Sequence, residues 1–339
     1  MKIIIDAMGG DNAPDEIIKG AVQAVQEFGV PVILVGDGTS LLEHMRSMGY
    51  ANLPKGIEIA HASEVVEMTD EGSAVLRTKK DSSLVVGLKL LKAGEGDAFV
   101  SAGNTGALLV CSTLMIGRVR GIKRAAITAV LPTAKGRCVL IDSGANVETT
   151  PSLLLQFAYM GSFYAEHVLE ISNPTVGLLN NGTEETKGPP VQKEAYALLR
   201  EAARSATLNF IGNIEARDVP AGGADVVVAD GFSGNILMKA MEGTAYMLTG
   251  MLKSMFVKNI FTKLSALALR GSLAEFKSRL DYKEVGGAPL LGIAKPVLKA
   301  HGSSDARAVR SAVNQAIKYA EADISSLIAG NIGLMAAEK

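Results

Sequence analysis

The chain has very few cysteines, and this argues against two common kinds of framework. Of its 339 residues only Cys111 and Cys138 are cysteines. Both lie inside apolar runs, with neither a C-x-x-C pairing nor a nearby histidine cluster. Disulfide frameworks and zinc sites need such groupings. We therefore interpret both thiols as buried structural side chains and predict no metal site.

Long apolar runs and an excess of charge are missing as well. No stretch reaches about 18 uninterrupted apolar residues, the length that a helix needs to cross a bilayer. Residues 1–6 are too short to be a signal peptide and are typical of a first strand. The formal net charge of −1 does not indicate a nucleic-acid partner. We expect a globular cytoplasmic protein, with 48% hydrophobic residues for a large core.

Several motifs of phosphate and hydrolase chemistry are also absent. The chain has no G-x-x-x-x-G-K-[ST] run and no G-x-G-x-x-G after its first strand. Nucleotide hydrolysis and dinucleotide binding therefore lack their usual fingerprints. A G-x-S-x-G elbow is missing too, and no serine pairs obviously with a histidine base.

Short β-rich runs alternate with longer helical patterns along most of the chain. The first strands are predicted at residues 2–5 and 32–35, with a helix from about 14 to 27 between them. Several of the strands are apolar throughout, as in parallel sheets that helices cover on both faces. The pattern predicts a three-layer αβα fold with a mostly parallel sheet. It ends in one amphipathic helix from about 305 to 329.

The turn Ser101-Ala102-Gly103-Asn104-Thr105-Gly106 lies between an apolar strand and a helical run. A strand-to-helix turn presents free backbone N–H groups and the positive end of the helix dipole, and its glycines let an anion approach the main chain. We predict that phosphate binds here, at Gly103, Asn104, Thr105 and Gly106. The alternative is a tight turn that needs glycine for its backbone geometry alone.

Six loops that follow predicted strands share a composition rich in glycine, asparagine and aspartate. They are residues 6–11, 101–106, 142–146, 180–188, 230–235 and 301–304. Because ligands of open α/β sheets bind beyond the carboxyl ends of the strands, we expect these loops to form a polar cleft on one edge. The residues predicted to support the cleft are Asp6, Gly9, Gly10, Asp11, Asp142, Asn146, Asn180, Glu184 and Asp230. Their carboxylates match no metal-ligand spacing and are expected to orient lysine or amide donors.

Two side chains in these loops are candidates for catalysis. Lys187 lies beside Asn180, Asn181 and Gly188, although a solvated loop lysine is the alternative. Of four histidines, His301 alone is placed like a site residue, flanked by glycine and serines in a loop after a strand. A donor-rich cleft can hold and aim a small anion and stabilise charge that develops on an oxygen.

Residues 233–280 interrupt the alternation and are predicted to form a helical insertion in a core domain of residues 1–232 and 281–339. A buried hairpin or dimer bundle explains most of its apolar residues. Its tip carries more apolar surface than two helices hide, so we also predict contact with an anionic membrane. The residues predicted for this contact are Met255, Phe256, Val257, Ile260, Phe261 and Leu264.

The six loops in this order, together with residues 286–292, resemble the motifs of the acyl-carrier-protein:phosphate acyltransferase (PlsX) family of bacterial phospholipid synthesis. The resemblance covers essentially the whole chain. It implies that inorganic phosphate attacks the thioester of a long-chain acyl-acyl carrier protein, which gives acyl phosphate and free carrier without a cofactor. It further implies a fold similar to phosphotransacetylases and isocitrate dehydrogenase-like proteins, a homodimer, and association with the inner face of the cell membrane.

In that reaction, Lys187 would offset the charge of the phosphate. Asn181 or Asn235 would donate to the thioester oxygen as it becomes an oxyanion, and His301 would protonate the leaving thiolate. The family's carrier protein is acidic, so a basic cluster should dock it, with a solvated loop as the alternative. The cluster consists of Arg118, Arg120, Lys123 and Arg124.

Two other classes of function remain open. One is a phosphate acetyltransferase that acts on short acyl-CoA and has no use for the apolar projection. The other is a non-enzymatic scaffold that binds a metabolite in the cleft and lipid or protein with its helices. An oxidative decarboxylase that uses a metal and a nicotinamide is disfavoured, because the acidic residues lack metal spacing and fold analogy alone suggests it.

Overall fold

The computed structural model describes residues 1–273, 276 and 286–336. The strands are β1 (Ile3–Asp6), β2 (Val32–Gly36), β3 (Ile57–His61), β4 (Ala98–Ser101), β5 (Ala126–Thr133), β6 (Gly136–Ile141), β7 (Val176–Asn180), β8 (Phe210–Glu215), β9 (Val226–Val228), β10 (Gly287–Leu291) and β11 (Val297–Ala300). They form one sheet in the order β3-β2-β1-β4-β11-β10-β5-β6-β9-β7-β8.

Helices cover both faces of this sheet. They are α1 (Asp15–Phe28), α2 (Gly38–Ser47), α3 (Gly72–Thr78), α4 (Ser83–Ala93), α5 (Thr105–Met115), α6 (Pro151–His167), α7 (Pro190–Arg204), α8 (Gly231–Phe256), α9 (Ile260–Ala268), α10 (Ala306–Glu321) and α11 (Ile324–Gly330), with a final 3₁₀ turn at Ile332–Met335. One apolar core joins one face to α1, α6 and α10. The other face packs on α4, α5 and the start of α8. The predicted three-layer α/β fold is confirmed.

The strand directions change in the middle of the sheet. The strands β3, β2, β1, β4 and β11 are parallel to one another, and β6, β9, β7 and β8 form a second parallel group. Between the groups, β10 is antiparallel to β11 and β5, and β5 is antiparallel to β6. Three reversals leave the second group running opposite to the first. The sheet is mostly parallel as predicted, but the expectation that six loops share one edge is wrong.

The last predicted helix is interrupted. Asp323 has a left-handed backbone with φ 43° and ends the run that begins at Ala306. Its side chain then accepts a hydrogen bond from the N–H of Ser326 and caps α11. The buried Ile324 and Ile328 turn α11 onto the core. The continuous helix predicted to residue 329 is therefore wrong at this point.

The helical insertion begins inside the core and then projects from it. Asp230 caps α8, and Gly234 and Leu237 of its first turns are buried. Beyond them the helix is largely exposed, and α9 has no buried residue. The predicted end of the insertion at residue 280 lies outside the described residues. Among the residues that are described, no helix combines the length and apolar content needed to cross a bilayer.

Candidate active site

A row of neighbouring side chains crosses the sheet on the face covered by α5 and α8. The Ser101 hydroxyl on β4 donates to the Asp6 carboxylate at the end of β1, at 2.7 Å. Ser101 is the register partner of Lys299 on β11, which in turn is opposite Ala288 on β10. On the next strands Leu290 of β10 is the register partner of Ile127 of β5, and continuing this register by two residues places Ala129 beside Ala288. Cross-strand partners share a face, so the row is polar at one end and small and apolar at the other.

A cavity of about 1030 Å³ lies over this row, with α8 on its far side. At its polar end the lining includes Asp11, Thr105, Lys299 and His301. Loops of the second half of the sheet contribute Ser143, Gly144 and Asn235. The rest of the lining is mainly aliphatic and comprises Ala129, Val130, Leu131, Leu237, Met238, Met241, Ala245, Leu248 and Ala288, among others. Five of the six predicted loops thus reach one cavity, although they leave the sheet in opposite directions.

The predicted phosphate loop reaches this cavity through Thr105. The buried Gly103 donates its N–H to the Ser101 hydroxyl at 3.1 Å, so the role predicted for that N–H is wrong. The Asn104 side chain caps α5 by accepting from the Ala107 N–H at 3.0 Å. Its amide nitrogen donates to the carbonyls of three residues in the loop before α3, Glu67, Met68 and Asp70. The side chain of Asn104 is therefore committed to the protein. Thr105 and Gly106 are exposed in the first turn of α5, where no carbonyl of that helix accepts from their N–H groups.

The loop after β1 packs tightly against the phosphate loop. A Cβ on Gly9 would lie 2.8 Å from the Gly103 nitrogen, so this approach requires glycine. Asp6 is buried, which raises the pKa of its carboxyl, and it accepts from the Ser101 hydroxyl and the Met8 N–H. Gly10 has a left-handed φ of 107°. The exposed Asp11 lines the cavity, and its N–H donates to the Gly302 carbonyl at 2.8 Å.

The turn after β6 is organised around the buried carboxylate of Asp142. It accepts hydrogen bonds from the backbone N–H groups of Ile127, Gly144, Ala145 and Asn146 and from the Asn146 amide. The same amide donates to the Ala125 carbonyl at 2.8 Å. Asp142 and Asn146 therefore hold the turn that presents Ser143 and Gly144 to the cavity.

The start of α8 is held by Asp230 and Asn235. The Asp230 carboxylate accepts from the N–H groups of Phe232 and Ser233. One turn later the Asn235 amide donates to the Ser143 carbonyl at 3.1 Å. Asn235 also lines the cavity. One N–H of its amide is bound to the Ser143 carbonyl, and the second N–H can donate to a ligand.

The loop after β7 does not reach this cavity. Asn181, Glu184 and Lys187 are exposed, and none of them is part of its lining. The Asn180 amide donates to the Lys187 carbonyl at 3.2 Å, and the Glu184 carbonyl accepts from the Asn213 amide at 2.9 Å. The roles predicted for these four residues stay predictions.

Three charged residues at the polar end were missed by the sequence reasoning. Lys299 donates from Nζ to the Ala102 carbonyl at 3.1 Å and also to the Ala300 carbonyl. Burial lowers the pKa of Lys299 to about 8, although nearby carboxylates oppose the change. Lys239 and Glu242 on α8 form an ion pair of 2.7 Å and also line the cavity. A lysine in the apolar strand Val297–Ala300, directly before the His301 loop, was the available signal.

His301 lies half-buried beside these cations. Burial, followed by the charge of Lys239, lowers the pKa of its imidazole, so the neutral ring predominates at pH 7. The Ser303 N–H donates to Nδ1 at 3.2 Å. With Nδ1 as the acceptor, the proton of the neutral ring is on Nε2.

Together these groups can bind an anion at one end of an apolar compartment. The first-turn N–H groups of α5 and the ammonium groups of Lys239 and Lys299 favour negative charge there. Within the described ranges, no group of three or more His, Cys, Asp or Glu side chains could hold a metal ion. The absence of a metal or cofactor from the reaction stays a prediction.

The predicted basic cluster lies beside a second, smaller concavity. All four of its residues are exposed, and Arg118, Lys123 and Arg124 line a space of about 440 Å³, whereas Arg120 does not. The apolar part of this lining comes from α5 and the turn after β6, through Leu109, Val110, Leu114 and Ala145. Because the same turn presents Ser143 and Gly144 to the large cavity, the two concavities are neighbours.

Solved structures with a similar fold include two phosphotransacetylases. A phosphotransacetylase from Streptococcus pyogenes has a TM-score of 0.62 at 20% identity, over 95% of this chain and 94% of that one. The EutD phosphotransacetylase from Staphylococcus aureus has a TM-score of 0.60 at 19% identity, with the same coverage. At this identity the likeness shows the fold alone.

Sequence relatives are far more similar. A family model described as "Fatty acid synthesis protein" matches residues 1–327. The phosphate acyltransferase of Alkaliphilus oremlandii is 50% identical over 94% of this chain and 93% of its own. The phosphate acyltransferase of Thermoanaerobacter pseudethanolicus is 46% identical over 100% of this chain and 99% of its own. The chain therefore belongs to the fatty acid synthesis protein family, in which these relatives carry the name phosphate acyltransferase.

Proposed function

We propose that this phosphate acyltransferase moves a long acyl group from the thioester of acyl carrier protein to inorganic phosphate, as an early step of phospholipid synthesis. One observation carries the proposal: a single cavity joins a cationic, amide-lined end to a long apolar remainder. Phosphate fits the first and an acyl chain the second. A cavity of about 1030 Å³ is far larger than an acetyl group requires, which disfavours the short acyl-CoA alternative.

The reaction needs no covalent enzyme intermediate, because phosphate is already an anionic nucleophile. A phosphate oxygen held at Thr105 and Gly106 attacks the thioester carbon, and a C–O bond forms. The second N–H of Asn235 donates to the thioester oxygen as it becomes an oxyanion, a contact that typically stabilises such a transition state by roughly 3 kcal/mol. The C–S bond then breaks and its electron pair leaves on sulfur. The neutral His301 donates a hydrogen bond from Nε2 to the thiolate, which takes its proton from solvent.

Release of thiol that depends on phosphate tests this function. Palmitoyl-acyl carrier protein and acetyl-CoA would be compared as donors, with hydroxylamine to trap the acyl phosphate. We expect turnover of the palmitoyl donor only when phosphate is present. Preference for acetyl-CoA would establish the phosphate acetyltransferase instead, and no phosphate-dependent release from either donor would favour the non-enzymatic scaffold.

We further propose that the acidic carrier docks on the basic concavity, because the turn after β6 links it to the cavity that receives the acyl chain. Reversing the charge in Arg124→Glu is expected to raise KM for acyl carrier protein about 10-fold, since charges of this kind steer association. Turnover of a small palmitoyl thioester should not change. Arg204→Glu, at an exposed arginine on α7, is the control. An unchanged KM in Arg124→Glu would rule the concavity out.

The tip of the α8–α9 projection is proposed to contact an anionic membrane, from a protein otherwise in the cytoplasm. Five of the six predicted residues are exposed, Met255, Val257, Ile260, Phe261 and Leu264, whereas Phe256 is half-buried. The lysines between them suit anionic headgroups.

Phe261, 77% exposed, is the sharpest probe of that contact. Phe261→Asp is expected to remove most binding in flotation with vesicles of anionic phospholipid, because a carboxylate would enter the apolar interface. Leu53→Asp, at an exposed leucine far along the chain, should float like the wild type. Equal flotation of all three proteins would refute the membrane contact. The predicted homodimer is tested on the same samples by sedimentation equilibrium.

A further inference from the structure

We propose that Lys299 is the cation that binds the phosphate nucleophile at the N-terminus of α5. The inference rests on the proposed function, because it assigns a residue to the phosphate of that reaction. It adds to the lysine expected from the sequence, Lys187, a second one that the tertiary structure brings to the phosphate loop.

The ammonium group of Lys299 forms a hydrogen bond with the phosphate loop. Two of its three N–H donors meet the carbonyls of Ala102 and Ala300, and Ala102 belongs to the turn that ends at Gly106. No carboxylate forms an ion pair with it in the described part of the chain. A charged group in the wall of a cavity is costly unless it is paired. One donor of Lys299 is thus left for an anion that the protein itself does not supply.

Other lysines fit this role less well. Lys239 lines the same cavity but is paired with Glu242 and is half exposed. Lys187 is exposed in the loop after β7 and does not line the cavity. Lys299 combines a place in the cavity wall, contact with the phosphate loop and freedom from an ion pair.

The charges around Lys299 come from every element that packs near it. Asp6 of β1 and Asp11 of the next loop attract its proton, while Lys239 of α8 repels it. Glu242 on α8 and His301 after β11 complete the set. Burial prevails and lowers the pKa of Lys299 to about 8. The side chain is therefore charged at pH 7 and loses its charge as the pH rises through that value, so phosphate binding should weaken in the alkaline range.

Lys299→Met tests the assignment. We expect kcat/KM for phosphate to fall by about 30-fold, as for the loss of one charge-assisted hydrogen bond, mainly through a higher KM for phosphate. The affinity for inorganic phosphate alone, measured by titration calorimetry without an acyl donor, should fall by a similar factor. Lys295→Met is the matched control, because Lys295 also donates to backbone carbonyls but lies outside the cavity lining.

Lys299→Arg provides the second variant and a pH signature. Because guanidinium keeps its charge, this variant should retain phosphate binding and lose the fall in kcat/KM for phosphate that the wild type shows above about pH 8. Wild-type phosphate affinity in Lys299→Met, or a loss confined to Lys187→Met, would overturn the inference. Absence of phosphate-dependent thiol release from the wild type would instead refute the proposed function, while calorimetry would still decide whether Lys299 binds phosphate.

Discussion

Gly234→Ala is expected to destabilise the protein and to abolish most of its activity, although alanine normally stabilises a helix relative to glycine by roughly 1 kcal/mol. Gly234 lies in the first turns of α8, and a Cβ built there would overlap the backbone carbonyl oxygen of Asp142. Neither partner is the flexible end of a side chain. The helix must therefore move away from the turn after β6, at a cost of typically about 1–3 kcal/mol for such overpacking.

The same movement would displace Asn235 from the Ser143 carbonyl and from the cavity. A shift of about 1 Å at a catalytic group can lower turnover about 100-fold, and we expect a loss of that order in kcat. Gly243→Ala, on the same helix, is the matched control, because no described atom lies within 4 Å of the added Cβ. It should gain up to about 1 kcal/mol. Urea unfolding measures the stability of the two variants, and steady-state kinetics measures their kcat. Equal stability and equal kcat in Gly234→Ala and Gly243→Ala would contradict the packing argument.

Ala129→Met is expected to change which acyl chains the enzyme accepts. Ala129 lines the cavity two positions along the row from Lys299, with Ala288 between them. A methionine side chain would fill the space through which a long chain must pass beyond the phosphate site. We expect kcat/KM for a palmitoyl donor to fall on the order of 100-fold, since a pocket discriminates by roughly 10–200-fold for each methylene that it excludes.

A short acyl donor is the internal control for that variant, because it uses the same phosphate site without reaching Ala129. Its kcat/KM should stay near the wild-type value. Ala288→Met, at the neighbouring position of the row, should repeat the pattern. A uniform loss for all chain lengths would indicate general damage to the site, and no loss for palmitate would place the acyl chain elsewhere.

Local chemistry explains why so many of the loops could be predicted. Gly10 is needed for its own left-handed backbone, and Asp142 and Asp230 accept from N–H groups close to them in sequence. Such requirements are visible as clusters of glycine, asparagine and aspartate. They identified five loops that reach the cavity. The same composition also identified the loop of Lys187, which does not line the cavity.

The side chain of Asn104 shows the limit of that reasoning. Asparagine in a phosphate loop suggests a ligand, yet its amide binds three carbonyls of the segment before α3, more than thirty positions earlier in the chain. Lys299 shows the converse, because a lysine within an apolar strand has no local feature that suggests a site. Its partner in the register is Ser101, nearly two hundred positions away.

The sequence by itself determined the alternation of strands and helices, the composition of the loops, the apolar projection and the family, because each depends on residues that are neighbours in the chain or on a pattern that runs along it. The tertiary structure alone decided which loops meet. Three antiparallel pairings reverse the second half of the sheet. The loop of Lys187 lies outside the cavity lining, whereas the pairing of β11 with β4 brings Lys299 to the phosphate loop. Strand order and register arise from the packing of distant segments, so the periodicity within one segment does not predict them.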